Sequence, residues 1–150
     1  GRRIAALLLD LDRFKQINDA FGHAAGDAVL AEIGQRLRRE LRPHDLAARI
    51  GGEEFLIVLP DLGEAEAMDA AERVRRAIEA SPITLPGPTG QALTVTTSIG
   101  VAIGGSDGAS SLSPDEAEVL SRELLDRADR ALYGAKARGR NRVWLGLEAA

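Results

Sequence analysis

The sequence predicts an α+β fold, an α/β sandwich whose sheet is mixed but mainly antiparallel. Three observations carry this expectation. Short apolar runs alternate with amphipathic stretches of helical period. Two of the runs are joined by a glycine-containing link that reads as a hairpin. The elements then fall in the order strand, helix, strand, strand, helix, strand, helix, strand. That order contains the split βαβ plan of ferredoxin-like folds, a βαββαβ core, followed by an extra helix and an edge strand.

Residues 4–10 form a nearly continuous apolar run closed by Asp10, the pattern of a strand buried on both faces. Leu30, Ile33, Leu37 and Leu41 recur at helical spacing, with Arg36, Arg38, Arg39 and Glu40 between them, until Pro43 stops the pattern. Residues 46–50 and 55–59 read as two strands joined through Gly51-Gly52-Glu53-Glu54, which puts both acids near the hairpin tip. Ala67, Ala71, Val74 and Ile78 define a second helix over residues 64–80, ended by Ser81-Pro82. The β-branched stretch 93–103 reads as a strand and the Gly/Ser/Asp-rich residues 104–113 as a mobile loop. Ser113 then caps a third helix with Pro114 at its first position, which Leu125, Ala128, Leu132 and Ala135 carry toward Gly139. Residues 143–145 make the last edge strand.

At 150 residues the chain has the size of one domain, and a domain of that length buries about 70% of its unfolded surface. With 45% hydrophobic and 28% charged residues it is too apolar for a disordered chain. A net charge of -4 argues against gripping nucleic acid by general attraction, so any polyanion must bind locally. The absence of cysteine excludes disulfides and thiolate metal sites. The sequence shows neither an apolar run of membrane-helix length nor a signal peptide. We expect a single domain over residues 1–150, cytoplasmic and without direct membrane contact. Because the chain opens straight into a strand, we expect it to have been excised from a longer multidomain protein, lacking an N-terminal segment; the full-length protein is open to membrane anchoring.

Acidic residues end two of the strand runs: Asp10 with Asp12, and Glu53 with Glu54. If the first strand lies beside the hairpin, Asp10 and Glu53 meet at one edge, where two hard carboxylates and a backbone carbonyl suit Mg²⁺. Acids at strand ends are equally at home in solvent. Gly51 and Gly52 let a backbone approach a phosphate closely, or simply make a turn. Lys136, Arg138, Arg140 and Arg142 crowd seven residues of an acidic chain; they can hold a triphosphate or merely complement a helix C-terminus. Asn18 and Asp27 can read a base edge, or serve as turn and cap residues. His23 stands alone and receives no role.

Together these residues resemble the GGDEF family of diguanylate cyclases. The matching segments are Asp10-Leu-Asp-Arg-Phe-Lys-Gln-Ile-Asn-Asp19, Gly22-His23, Gly26-Asp27, the signature Gly51-Gly-Glu-Glu-Phe55, and Ala131-Leu-Tyr-Gly-Ala-Lys-Ala-Arg-Gly-Arg-Asn141. Their order and spacing are far more specific than any one of them. The resemblance implies condensation of two GTP molecules into cyclic di-GMP and pyrophosphate in a symmetric homodimer. It implies Asp10 and Glu53 as catalytic carboxylates and, with the Leu11 carbonyl, as ligands of Mg²⁺ or Mn²⁺. Asn18 and Asp27 match the guanine-reading pair, while Gly51 and Gly52 match the phosphate-facing turn. Lys15, Lys136 and Arg140 match its phosphate-contacting bases, and Phe14 and Glu54 complete the substrate set. Arg42 and Asp45, an Arg-x-x-Asp pair, match an inhibitory product site, with Arg73 as a supporting arginine from a neighbouring domain. The resemblance further implies an upstream sensor domain and no nucleic-acid partner.

Two features depart from the family pattern. Its usual opening segment, with an Asp-x-Leu-Thr pattern, is absent, and the connection over residues 104–123 is longer than the family commonly shows and has no functional account. The alternative to an active cyclase is a catalytically silent module that binds GTP and cyclic di-GMP.

Overall fold

The computed structural model describes residues 2–106 and 113–146. The elements are β1 (Arg2–Leu11), α1 (Phe14–Phe21), α2 (His23–Glu40), β2 (Leu46–Arg49), β3 (Glu54–Pro60), α3 (Glu64–Glu79), β4 (Ile83–Thr84), β5 (Ala92–Leu93), β6 (Thr97–Ser106), α4 (Pro114–Ala137) and β7 (Val143–Leu145). The main sheet runs β2-β3-β1-β6-β7. Its pairs are antiparallel except β6 with β7, which is parallel. This is the expected split βαβ sheet with an added edge strand.

β1 sits at the centre, and its two faces supply two cores. Leu7, Leu9 and Leu11 pack with Val29, Ile33 and Ile78 of α2 and α3. Ala6 and Leu8 pack with Leu124, Ala128 and Leu132 of α4 on the other face. The unbroken apolar run therefore reflects a strand covered on both sides, although both its neighbours are antiparallel.

α4 can lie flat on the sheet because β6 presents Gly100, Ala102 and Gly104 to it at the strand period of two. A Cβ at Gly100 would stand 2.2 Å from the Ala128 carbonyl oxygen, a backbone atom that cannot step aside. One at Gly104 would meet Leu124 at 2.7 Å. The glycines read as the start of a loop therefore belong to the strand: residues 104–106 finish β6, paired with the start of β1. Residues 107–112 of the expected loop lie outside the described residues.

Other expectations need correction. The strand expected over 93–103 is two elements: Leu93 belongs to β5, in a small hairpin with β4, and β6 begins at Thr97. The break falls where Asp12 takes hold of Thr96, through its own N–H to the Thr96 carbonyl at 2.9 Å and by accepting from the Thr96 hydroxyl at 2.7 Å. Leu124, not Leu125, faces the sheet; Leu125 is exposed. Arg36, read as a surface residue of α2, is buried, and it donates to the Ile78 and Ser81 carbonyls at 2.6 and 2.9 Å. It thus satisfies the open C-terminal end of α3. The start of α4 is as expected: Ser113 accepts from the Glu116 N–H, Glu116 accepts from the Ser113 N–H, and Pro114 follows the cap. No helix among the described residues is long and apolar enough to cross a membrane.

Candidate active site

Pairing of β1 with β3 places Asp10 opposite Glu54, and the Leu11 N–H donates to the Glu53 carbonyl at 3.2 Å. The hairpin tip is thereby tied to the end of β1, and Asp10 and Glu53 share one edge of the sheet. Asp10 is buried and accepts a charged hydrogen bond from Lys136, delivered by the last turn of α4. Glu53 is half-buried, and its carboxyl is held above the ordinary glutamate range. Burial is the largest cause; the charge of Asp10 and a hydrogen bond shared with it add to the rise, while Lys136 opposes it.

Two carboxylates forced together, with one ammonium between them and the helix end, form a pair that a cation would relieve. Among the described residues no three His, Cys, Asp or Glu side chains gather as a metal cage. The protein's offer is thus two hard carboxylates and the Leu11 backbone, since the Leu11 side chain is buried. That donor set fits Mg²⁺ or Mn²⁺, which is held by one or two carboxylates and fills its remaining positions with water and phosphate oxygens.

Asp12, in the turn just after β1, has a different fate from Asp10. It is buried, and it accepts from the Thr96 hydroxyl, the Ser98 hydroxyl at 2.6 Å and the Asn141 N–H at 3.0 Å. Its oxygens are committed to holding β6 and the turn after α4 beside β1. Asp12 is thus an anchor and Asp10 the site carboxylate.

α1 was not legible in the sequence. It is eight residues long, begins after Arg13 in a left-handed conformation (φ 59°) with no side-chain cap, and buries Phe14 and Ile17. Its role in the site is to bring Asn18 against α2. A Cβ at Gly26 would stand 1.8 Å from the Asn18 side-chain oxygen, so the glycine next to Asp27 leaves the space that Asn18 fills. Asn18 and Asp27, nine residues apart and expected to act as a pair, thus sit at one contact between α1 and α2. The Phe14 side chain packs beneath Gly26 in the core, which leaves its backbone as the part a ligand can reach.

Gly51 and Gly52 are exposed at the hairpin tip. A Cβ at Gly52 would meet nothing within 4 Å, and one at Gly51 would make ordinary contact with Glu54. The fold itself does not require glycine at position 52, so the open space above it is available to a ligand. Lys15 and Arg140 are exposed, and Lys136 is half-buried. A groove of about 880 Å³ runs between α2 and β2, from Asp27 and Phe55 at this end to Arg42 and Asp45 at the other.

Arg42 and Asp45 bind each other. Asp45 accepts from the Arg42 N–H at 2.8 Å and from its guanidinium at 2.7 Å, and the guanidinium also donates to the Pro60 carbonyl at 2.9 Å. Burial alone would raise the Asp45 carboxyl; the hydrogen bonds and charge of Arg42 outweigh it and hold the group below the ordinary range. The Asp45 side chain is only 3% exposed, whereas Arg42 is 44% exposed, so Arg42 is the member that can meet a ligand. Arg73 of the same chain lines a pocket of about 260 Å³ with both of them and stands 3.6 Å from Glu40.

Sequence reasoning also missed Arg75, Glu79 and Asn141. Asn141 donates to Glu79 at 2.7 Å and accepts from Arg75 at 2.9 Å. Nothing in the α3 pattern distinguishes these two residues from other solvated charges.

A five-stranded split βαβ sheet with a paired-carboxylate edge and a glycine tip defines the class, and comparison with known proteins agrees. Residues 1–142 match the family model "Diguanylate cyclase, GGDEF domain". The chain belongs to the GGDEF family. Response regulator PleD of Caulobacter vibrioides is 45% identical over 143 residues, covering 95% of this chain and 29% of that protein. Diguanylate cyclase A of Treponema denticola is 42% identical over 142 residues, 95% of this chain and 35% of the relative. The chain thus spans about a third of the length of these curated relatives. Among solved structures, the GGDEF domain of DgcB from Caulobacter crescentus in complex with c-di-GMP superposes with a TM-score of 0.83 at 31% identity, covering 97% of this chain and 79% of that one. The active GGEEF domain of a diguanylate cyclase from Vibrio cholerae gives 0.77 at 30% identity, over 98% and 85% of the two chains.

Proposed function

We propose that this chain is an active diguanylate cyclase domain, a nucleotidyltransferase that joins two GTP molecules into cyclic di-GMP with loss of two pyrophosphates. The observation that carries the reading is the Asp10–Glu53 pair beside Lys136 at the open glycine tip. Asn18 and Asp27 read the guanine, and Gly51, Gly52, Lys15, Lys136 and Arg140 receive the triphosphate. Phe14 contributes through its backbone and Glu54 supports the hairpin strand. Mg²⁺ or Mn²⁺, held by Asp10, Glu53 and the Leu11 carbonyl, would stabilise charge developing on the phosphate. In each half-reaction a 3′-hydroxyl attacks the α-phosphorus of the other GTP and pyrophosphate leaves. Glu53, whose carboxyl has a raised proton affinity, is placed to take the hydroxyl proton.

One domain holds one GTP, so two copies must face each other for both bonds to form. Arg42, positioned by Asp45 and accompanied by Arg73, is the proposed inhibitory site for cyclic di-GMP. An upstream sensor domain would control the meeting of the two copies, in the cytoplasm where GTP is available.

The test is product analysis after incubating GTP and Mg²⁺ with the chain fused to a dimerising coiled coil, beside a Glu53→Gln control. Cyclic di-GMP from the parent alone is the expected outcome. No product from a folded dimer that binds GTP would replace the enzyme with a silent GTP- and cyclic di-GMP-binding module.

A further inference from the structure

The turn after α4 holds three consecutive residues at positive φ: Gly139 at 115°, Arg140 at 63° and Asn141 at 46°. A helix C-cap needs one such residue, and Gly139 supplies it. Asn tolerates this conformation, but an arginine seldom adopts it without outside constraint. The constraint comes from three sides. The Asn141 N–H donates to Asp12 at 3.0 Å, its amide donates to Glu79 at 2.7 Å, and it accepts from Arg75 at 2.9 Å. Asp12 is itself fixed by Thr96 and Ser98, and Arg75 by Glu72 at 3.0 Å. The Arg140 N–H donates to the Ala135 carbonyl at 3.1 Å, while its guanidinium has no hydrogen bond or ion pair among the described residues.

We infer that Asn141, clamped by Asp12, Arg75 and Glu79, is a positioning residue that holds Arg140 in its left-handed conformation so that its free guanidinium faces the phosphate site. Asp12, in the turn just after β1, lies two residues beyond Asp10, so one short segment sets the carboxylate and, through Asn141, the arginine. The network thereby fixes the spacing between the proposed cation site and the triphosphate cationic clamp. This rests on the reading of Arg140 as a phosphate contact.

The experiment measures inorganic tripolyphosphate and GTP binding by calorimetry on the 150-residue chain, with Asn141→Ala, Arg140→Ala and the double variant. Asn141→Ala is expected to weaken tripolyphosphate about tenfold, within the range of coupled neighbours. It should weaken GTP by the same factor. The double variant should bind no worse than Arg140→Ala alone. In the dimerised protein the loss should fall on KM, with kcat kept.

Arg75→Met removes one clamp without touching the turn and should give the same pattern at about threefold, which covers an Asn141 variant that fails to fold. Undiminished tripolyphosphate binding in Asn141→Ala and Arg75→Met, or losses that multiply in the double variant, would overturn the positioning role. Unchanged binding in Arg140→Ala would instead remove Arg140 from the phosphate site, a failure of the functional reading that takes this inference with it.

Discussion

Asp45, just before β2, and Glu53, just before β3, stand at opposite ends of the β2–β3 hairpin and in opposite electrostatic company. Asp45 is matched: Arg42 supplies a guanidinium and a backbone N–H, and the carboxyl is held below its ordinary range. Glu53 is mismatched: it is pressed against Asp10, and its carboxyl is held above its ordinary range. The difference teaches that the two ends handle ligands differently. The Glu53 end holds two like charges close together, so a cation bound there would relieve repulsion already present. At the Asp45 end the charges are paired within the chain, so a ligand meets the exposed Arg42 and must share it with Asp45 and the Pro60 carbonyl.

The largest expected effect breaks the mismatched end. Glu53→Gln should lower cyclic di-GMP formation by more than about 100-fold, the scale of losing one group that stabilises transition-state charge. Its thermal midpoint in metal-free buffer should be no lower than the parent's, because a repulsive charge has been removed. A lower midpoint would mean that the pair is not repulsive.

Next comes the open space at the tip. Gly52→Ala places a methyl group where nothing of the protein stands, so unfolding free energy should stay within about 0.5 kcal/mol. Tripolyphosphate affinity should nevertheless fall about tenfold, equivalent to roughly 1.4 kcal/mol. Equal loss of both would show that the glycine serves the turn alone.

At the matched end, Asp45→Asn should lower the thermal midpoint at neutral pH by about 2–4 °C. It should also weaken cyclic di-GMP inhibition while leaving initial turnover intact. Inhibition as strong as the parent's would remove Asp45 from the orientation of Arg42.

The smallest effect is the pH dependence of that difference. A carboxylate whose folded pKa is depressed stabilises the fold above its unfolded value, ordinarily 3.8, and loses that stabilisation as pH falls through the folded pKa. The midpoint gap between parent and Asp45→Asn should therefore be constant near neutrality and close below about pH 3.8. A gap that widens in acid would contradict the matched pair.

Much of this arrangement was legible beforehand. The apolar run of β1, the glycine hairpin, the small-residue face of α3 and the Ser113–Glu116 cap all state their element locally, because period and cap chemistry act over a few residues. The meeting of Asp10 and Glu53 followed once β1 and the hairpin were taken as neighbours. α1 was illegible because eight residues make only about two turns, too short a window for a helical period to declare itself, and Arg13 offers no cap signal. Gly104 looked like a loop beginning because its smallness, like that of Gly100 and Ala102 before it, serves α4, which arrives from later in the chain.

By itself the sequence determined the order of elements, the signature residues and the set of groups able to hold a nucleotide and a cation. Its local pattern did not separate Asp10 from Asp12, two acids two residues apart at the end of one apolar run; the family resemblance alone singled out Asp10. Only the tertiary structure decided that Lys136 and Glu53 meet the first, whereas Thr96, Ser98 and Asn141 meet the second. The physical reason is that a carboxylate's role is set by what surrounds it in space, and here those partners come from segments about 40 to 130 residues away along the chain.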